Sequence, residues 1–140
     1  MKKISVFCDG GARGNPGPAA IAFVVSEDGK IIYKFSKKIG KITNNVAEYQ
    51  AVIEALKWLK QQTTNNKQHT TINFFLDSQL VVNQLNGFFK IKDAKLRNLI
   101  IKARILEQEI GRKIFYNLIS RRQNKIADSL INQTLNSVSR

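Results

Sequence analysis

Cysteine is almost missing from this 140-residue chain, where Cys8 stands alone. No internal disulfide can form, and the place of Cys8 in an apolar run predicts a buried core thiol. Histidine is as scarce, with His69 the one copy, so a Cys/His zinc centre lacks ligands. No apolar run approaches the roughly 18 residues of a membrane span, and no basic segment leading into an apolar one opens the chain. A soluble protein of the reducing cytoplasm is expected. Neither G-x-x-x-x-G-K-[ST] nor G-x-G-x-x-G occurs, which argues against a nucleotide-phosphate cradle. No linker or internal repeat divides the sequence, so one domain over residues 1–140 is expected. Acidic residues are also few. Ten of them face 23 Lys and Arg, for a net charge of +13. Such a balance points to nucleic acid. A membrane surface is the weaker rival, because no long basic amphipathic helix with an aromatic face appears.

The elements follow from periodicity. Ile4–Asp9, Ala19–Val25 and Lys30–Ile39 read as strands, the last two joined at Glu27-Asp28-Gly29. Val46, Tyr49, Ile53 and Leu56 set a helix over Asn45 to about Gln61, with Asn45 and Glu48 spaced for a capping box. A loop over Gln62–His69 precedes a strand, Thr70–Leu76. Helices follow at Ser78–Asn86 and Ala94–Ile110, closed by Gly87 and Gly111. Lys113–Ile119 is a fifth strand, and Asn124 to about Leu135 a last helix before a frayed Ser139-Arg140 end. The order β-β-β-α-β-α-α-β-α predicts an α/β fold, a mixed five-stranded sheet with helices on both faces.

Asp9-Gly10-Gly11-Ala12-Arg13-Gly14-Asn15-Pro16-Gly17-Pro18 is the most distinctive stretch. A strand delivers one carboxylate to what reads as a loop nearly free of side chains, one that a bulky partner's backbone can approach. Context sets six of the ten acids aside. Glu27 and Asp28 lie in a turn, Glu54 faces away from Glu48, Asp93 caps a helix, and Glu107 and Glu109 sit near the end of a basic helix. Asp9, Glu48, Asp77 and Asp128 remain. Each has a structural alternative, as turn residue, capping-box partner, N-cap or helix-terminus charge. Yet Asp9 and Asp77 end strands, and Glu48 and Asp128 begin helices, positions that converge at one sheet edge. Four carboxylates together repel one another unless a cation joins them. An all-oxygen set points to Mg²⁺ or Mn²⁺.

These residues, with Thr43-Asn44-Asn45-Val46-Ala47-Glu48-Tyr49, Asp77-Ser78-Gln79-Leu80-Val81 and Arg121 to Asp128, resemble type 1 ribonuclease H in order across the whole chain. The resemblance implies a ribonuclease H-like fold and an endonuclease that cuts the RNA strand of RNA–DNA hybrids, leaving 5′-phosphate and 3′-hydroxyl ends. It implies that Asp9 bridges two Mg²⁺ ions, that Asp128 completes the site of the water-activating one, and that Glu48 and Asp77 hold the second. Such a pair, about 3.5–4 Å apart, clamps both oxygens of an in-line displacement. By the same resemblance Asn15, Asn44, Asn45 and Gln79 contact the hybrid near the metals, Thr43 and Asn45 take a DNA-strand phosphate, and Gly10, Gly11, Ala12 and Arg13 line the substrate path. Neutral amides suit 2′-hydroxyls and groove edges.

Two departures mark a compact branch of that family. Phe88-Phe89-Lys90-Ile91-Lys92-Asp93 runs straight into the next helix, where well-known bacterial members insert a basic handle. Ser120-Arg121-Arg122 stands where those members carry a mobile histidine, and His69 is too distant to replace it. Arg121 is the candidate to contact the scissile phosphate or help release the product, while Arg122 should point elsewhere and add general phosphate attraction at most. The partner expected is RNA–DNA hybrid, with double-stranded RNA a further substrate if the missing handle relaxes discrimination. A non-catalytic nucleic-acid binder is the other alternative, though negative charges facing phosphate would not serve it. A monomer is expected.

Overall fold

The computed structural model describes residues 3–62, 71–88 and 90–137. The expected loop around His69 and the frayed C-terminal end lie outside the described residues. Five strands form one mixed sheet in the order β3-β2-β1-β4-β5. β1 (Lys3–Ala12), β2 (Gly17–Glu27) and β3 (Lys30–Ile42) are antiparallel neighbours. β4 (Thr71–Leu76) pairs parallel with β1, and β5 (Ile114–Leu118) parallel with β4.

One face of the sheet carries α1 (Asn44–Gln62), α2 (Gln79–Leu85) and α3 (Ala94–Ile110) over a core that includes Val6, Cys8, Ile72, Phe74 and Leu56. The lone cysteine is a buried thiol, as its apolar neighbours required. On the opposite face, Ala20, Ala22 and Val24 of β2 give α4 (Lys125–Asn136) a shallow seat for Ala127 and Ile131. The element order is the expected one, with helices on both faces. Among the described residues no helix is long and apolar enough to cross a membrane.

Several boundaries differ from the sequence reading, each for a long-range reason. Gly10, Gly11 and Ala12 are strand rather than loop, because they pair with Ile21, Ala20 and Ala19. β3 continues past Ile39 to Ile42 by absorbing an extra residue opposite Ala19 and Ala20, where Gly40 takes φ 83°. Asp28 (φ 51°) and Gly29 (φ 86°) make the tight left-handed turn between β2 and β3. A 3-10 turn, Arg121–Asn124, precedes α4, so the last helix begins one residue later than expected.

The capping box at Asn45 is not formed. Thr43 caps α1 instead, its hydroxyl accepting from the Val46 N–H (3.3 Å) and its carbonyl from the Ala47 N–H (3.1 Å). The first helical residue is therefore Asn44, and Glu48 is released from any capping duty.

Candidate metal centre and cleft

Strand β1 runs antiparallel to β2 and parallel to β4, so Asp9 and the residue after β4, Asp77, emerge at the same edge. The helix α1 supplies Glu48 from above. What brings them together is the absence of a side chain at Gly10. A Cβ there would lie 2.2 Å from the Ala47 carbonyl carbon and 2.5 Å from the Glu48 nitrogen. Only glycine lets β1 and α1 touch backbone to backbone at this point. The sequence reading gave this glycine to the substrate path; it lines the cleft and also makes room for the protein's own helix. Gly17 is similarly enclosed, with a Cβ site 1.9 Å from the Arg13 carbonyl oxygen.

Asp9, Glu48 and Asp77 each offer a carboxylate oxygen, and the three atoms lie within 4.8 Å of one another. Asp9 and Glu48 are buried, each 7% exposed. Burial, with the Asp77 carboxylate next in weight, pushes Asp9 from 3.8 up to about 7, against a hydrogen bond shared with Glu48. Burial followed by the Asp9 charge also raises Glu48 well above its ordinary value. Glu48 Oε2 is buried with no hydrogen-bond partner. An orphaned carboxylate oxygen beside two further carboxylates is a donor set that fits a hard divalent cation.

The sign of the pH dependence follows. Without a cation the folded state holds protons that the unfolded chain releases, so stability present below about pH 4 is lost as pH rises through about 7. The loss should be on the order of 1–4 kcal/mol. Thermal melting in chelator should give a lower midpoint at pH 8 than at pH 5, and a divalent cation should restore more at pH 8. A flat profile with no cation response would remove the cluster from consideration as a metal centre.

Asp77 has a holder that the sequence reading missed. Asn124 Nδ2 donates to Asp77 Oδ2 (3.1 Å) and to the Cys8 carbonyl (2.8 Å), and the residue is 1% exposed. It sits one helical turn before Asp128, which is the only hint its position offered. The N-cap alternative for Asp77 fails, because Ser78 Oγ accepts from the Val81 N–H of α2. Fully buried Tyr49 donates to Gln84 Oε1 (2.6 Å), which ties α1 to α2 behind the cluster.

The acids set aside by context are engaged elsewhere. Glu54 pairs with Lys37 and Lys57, Asp93 caps α3, Glu107 meets Arg104, and Glu109 meets Lys60.

Around the cluster opens a cleft of about 460 Å³ whose lining includes Gly10, Gly11, Ala12, Arg13, Asn44, Asn45, Arg121 and Asp128. Half-buried Asp128 thus faces the same space as the other three carboxylates. Ile131, Asn132 and Leu135 of α4 complete one wall. Asn15, Thr43 and Gln79 do not line it. Asn15 Oδ1 accepts from the Asn44 N–H (3.0 Å), and Asn44 Oδ1 accepts from the Ala12 N–H (2.8 Å). These two amides fasten the turn after β1 to the start of α1. Gln79 is exposed in the first turn of α2. The 3-10 turn sends the two arginines apart. Arg121 lines the acidic cleft, and Arg122 lines a separate cavity with Phe7 and Val24.

The family described as reverse transcriptase-like matches residues 7–134. A ribonuclease H of Helicobacter acinonychis is 34% identical over 93% of this chain and 91% of its own length. A bifunctional protein of Mycobacterium tuberculosis is 34% identical over 96% of this chain. The chain spans 36% of the length of that relative and 64% of a Halobacterium salinarum ribonuclease HI. LC11-RNase H1, isolated from compost, superposes with a TM-score of 0.88 at 37% identity, over 96% of either chain. The same enzyme in complex with an RNA/DNA hybrid gives 0.86 at 36%, over 93% of this chain and 94% of that one. Likeness in sequence and in backbone thus runs almost the full length, and the chain belongs to the type 1 ribonuclease H family.

Proposed function

We propose that this chain is an endoribonuclease that hydrolyses the RNA strand of RNA–DNA hybrids, leaving 5′-phosphate and 3′-hydroxyl ends. One observation carries the reading: three carboxylates gather within 4.8 Å in a chain of net charge +13. A mere binder of phosphates gains nothing from that gathering. The hybrid held by LC11-RNase H1 supports the choice of substrate.

Asp9, Glu48, Asp77 and Asp128 would hold two Mg²⁺ ions, with Mn²⁺ as a substitute. Bound there, the ions supply an activated water and neutralise charge on the leaving 3′ oxygen. Asn124 acts through Asp77, keeping its carboxylate aimed at the cluster. Arg13, Asn44 and Asn45 face a substrate lying in the cleft, where donors meet phosphate and sugar oxygens. Gly11 and Ala12 leave room for its backbone. Thr43, Asn15 and Gln79 act at the cleft's margin, the first two by shaping the start of α1. All four carboxylates come from one chain, so a monomer suffices.

Labelled RNA–DNA hybrid, double-stranded RNA and single-stranded RNA, each incubated with Mg²⁺, test the proposal. Hybrid should be cut, chelator should abolish cutting, and Ca²⁺ should permit binding with little turnover. Equal activity in excess chelator defeats the reading, and cleavage of double-stranded RNA at a similar rate would widen its substrate.

Arg121 and Arg122 separate catalysis from attraction. Arg121→Ala should lower turnover at saturating hybrid by roughly tenfold, about 1.4 kcal/mol on the barrier. Arg122→Ala should leave turnover alone and flatten the salt dependence of binding. Equal turnover in the two variants would deny Arg121 any special place.

A further inference from the structure

Among the described residues, the face of the sheet opposite the main core is only half covered. Helix α4 packs on β1, β2 and β3, and its apolar seat includes Phe7 but no residue of β4 or β5. On that uncovered face the strand alternation sets out a small grid. Phe7 pairs in register with Phe75, Ser5 with Asn73, and Lys3 with Thr71. One strand further, Asn117 stands beside Phe75, and Phe115 beside Asn73. The Phe7 and Phe75 rings stack at 4.9 Å, and Phe115 is 50% exposed. Asn117 Nδ2 donates to Asn73 Oδ1 (3.2 Å) between the aromatics. Lys3 and Lys113 border one end, Arg122 and Lys125 flank Phe7 on the β2 side, and beyond Phe7 and Phe75 the same face reaches Asp9 and Asp77. Beside Phe7 the face deepens into a cavity of about 310 Å³ that Arg122 and Lys125 line.

We propose that this face binds single-stranded nucleic acid, with bases stacking on Phe115 and on the Phe7–Phe75 pair and phosphates meeting the basic borders. Aromatic rings on a sheet accept any base through its π-face, and flanking Lys and Arg follow the backbone. The central amides can meet base edges, which an apolar peptide would leave unused. Paired bases cannot reach the rings, so the occupant is a single strand. The surface runs along β1 and β4 on the same side of the sheet as Asp9 and Asp77, two residues before them on each strand. The cavity beside Phe7 shares no lining residue with the acidic cleft, so the proposal stands whether or not the catalytic reading does.

Fluorescence anisotropy of a labelled 15-nucleotide deoxythymidine strand, in chelator, tests this with the full chain. Phe115→Ala and Lys113→Glu should each weaken binding severalfold, and together tenfold or more. Both positions are exposed, so melting temperature and cleavage of a short blunt hybrid should not change. Photo-crosslinking with a 5-iodouracil strand should mark the β4 or β5 peptide. Unchanged affinity in the double variant, or crosslinks confined to the acidic cleft, would overturn the proposal. So would capture on this face of an acidic phenylalanine-containing peptide when the oligonucleotide shows no binding.

Discussion

Asp9→Asn should abolish cleavage of hybrid, by a thousandfold or more at saturating substrate, about 4 kcal/mol on the barrier. The amide keeps the size of the carboxylate but surrenders the charge that a divalent cation needs. Asp9 lies within 4.8 Å of both Glu48 and Asp77, so its loss leaves a single pair of these three carboxylates. Stability should move the other way. Burial holds Asp9 at about 7, so the wild-type fold in chelator resists ionising it above neutrality, and an amide escapes that cost. The variant should melt higher than wild type at pH 8 without cation, and gain less from added Mg²⁺. Hybrid binding should persist or tighten, since one negative charge leaves a phosphate-facing surface. Single-turnover cleavage with melting curves at both pH values checks all three. Residual cleavage within about tenfold of wild type would show that Asp9 is not a metal ligand.

The carboxylates were legible because their signals are local. Asp9 and Asp77 each follow an apolar run whose alternation marks a strand, and parallel pairing of β1 with β4 puts both ends on one edge. Glu48 could be placed by helical phase, and its freedom from capping rests on a shift of the cap to Thr43. The divergence of Arg121 and Arg122 was also foreseeable, since two consecutive residues in a tight turn cannot share a direction.

Long-range pairing was not legible. Glycine has little intrinsic strand preference, so Gly10-Gly11 read as loop until the partner strand was known. The bulge that lengthens β3 depends on a register between β2 and β3 that no local pattern records. Asn124 is the sharpest case. Its partners are the Cys8 carbonyl, 116 residues away, and Asp77, 47 residues away, and an asparagine before a helix otherwise reads as a cap. No side-chain cap is formed there. A second use of the asparagines was equally hidden, because Asn15 and Asn44 give their carbonyl oxygens to the protein's own backbone.

Gly10→Ala should be among the most damaging changes in the chain, although it adds one methyl group to a residue that is not a ligand. The new Cβ would sit 2.2 Å from the Ala47 carbonyl carbon, 2.3 Å from its oxygen and 2.5 Å from the Glu48 nitrogen. Those are backbone atoms in the interior of α1, so no rotamer change relieves the clash. Strand and helix must separate, which opens the core around Cys8 and Tyr49. A cost of roughly 3 kcal/mol or more follows from forced overpacking, enough to lower the melting midpoint by about 10 °C. The same separation moves Glu48 away from Asp9. A displacement near 1 Å between groups that must act together costs about a hundredfold in rate, so activity should collapse even where the variant remains folded. Gly11→Ala is the control. Its Cβ would meet only Ile131 Cγ2 at 3.8 Å, an ordinary contact, so stability should stay within about 1 kcal/mol of wild type. Melting curves for the two variants, and cleavage measured below both midpoints, separate the cases. If the Gly10 and Gly11 variants melt alike, the close approach of β1 to α1 is not what assembles the site.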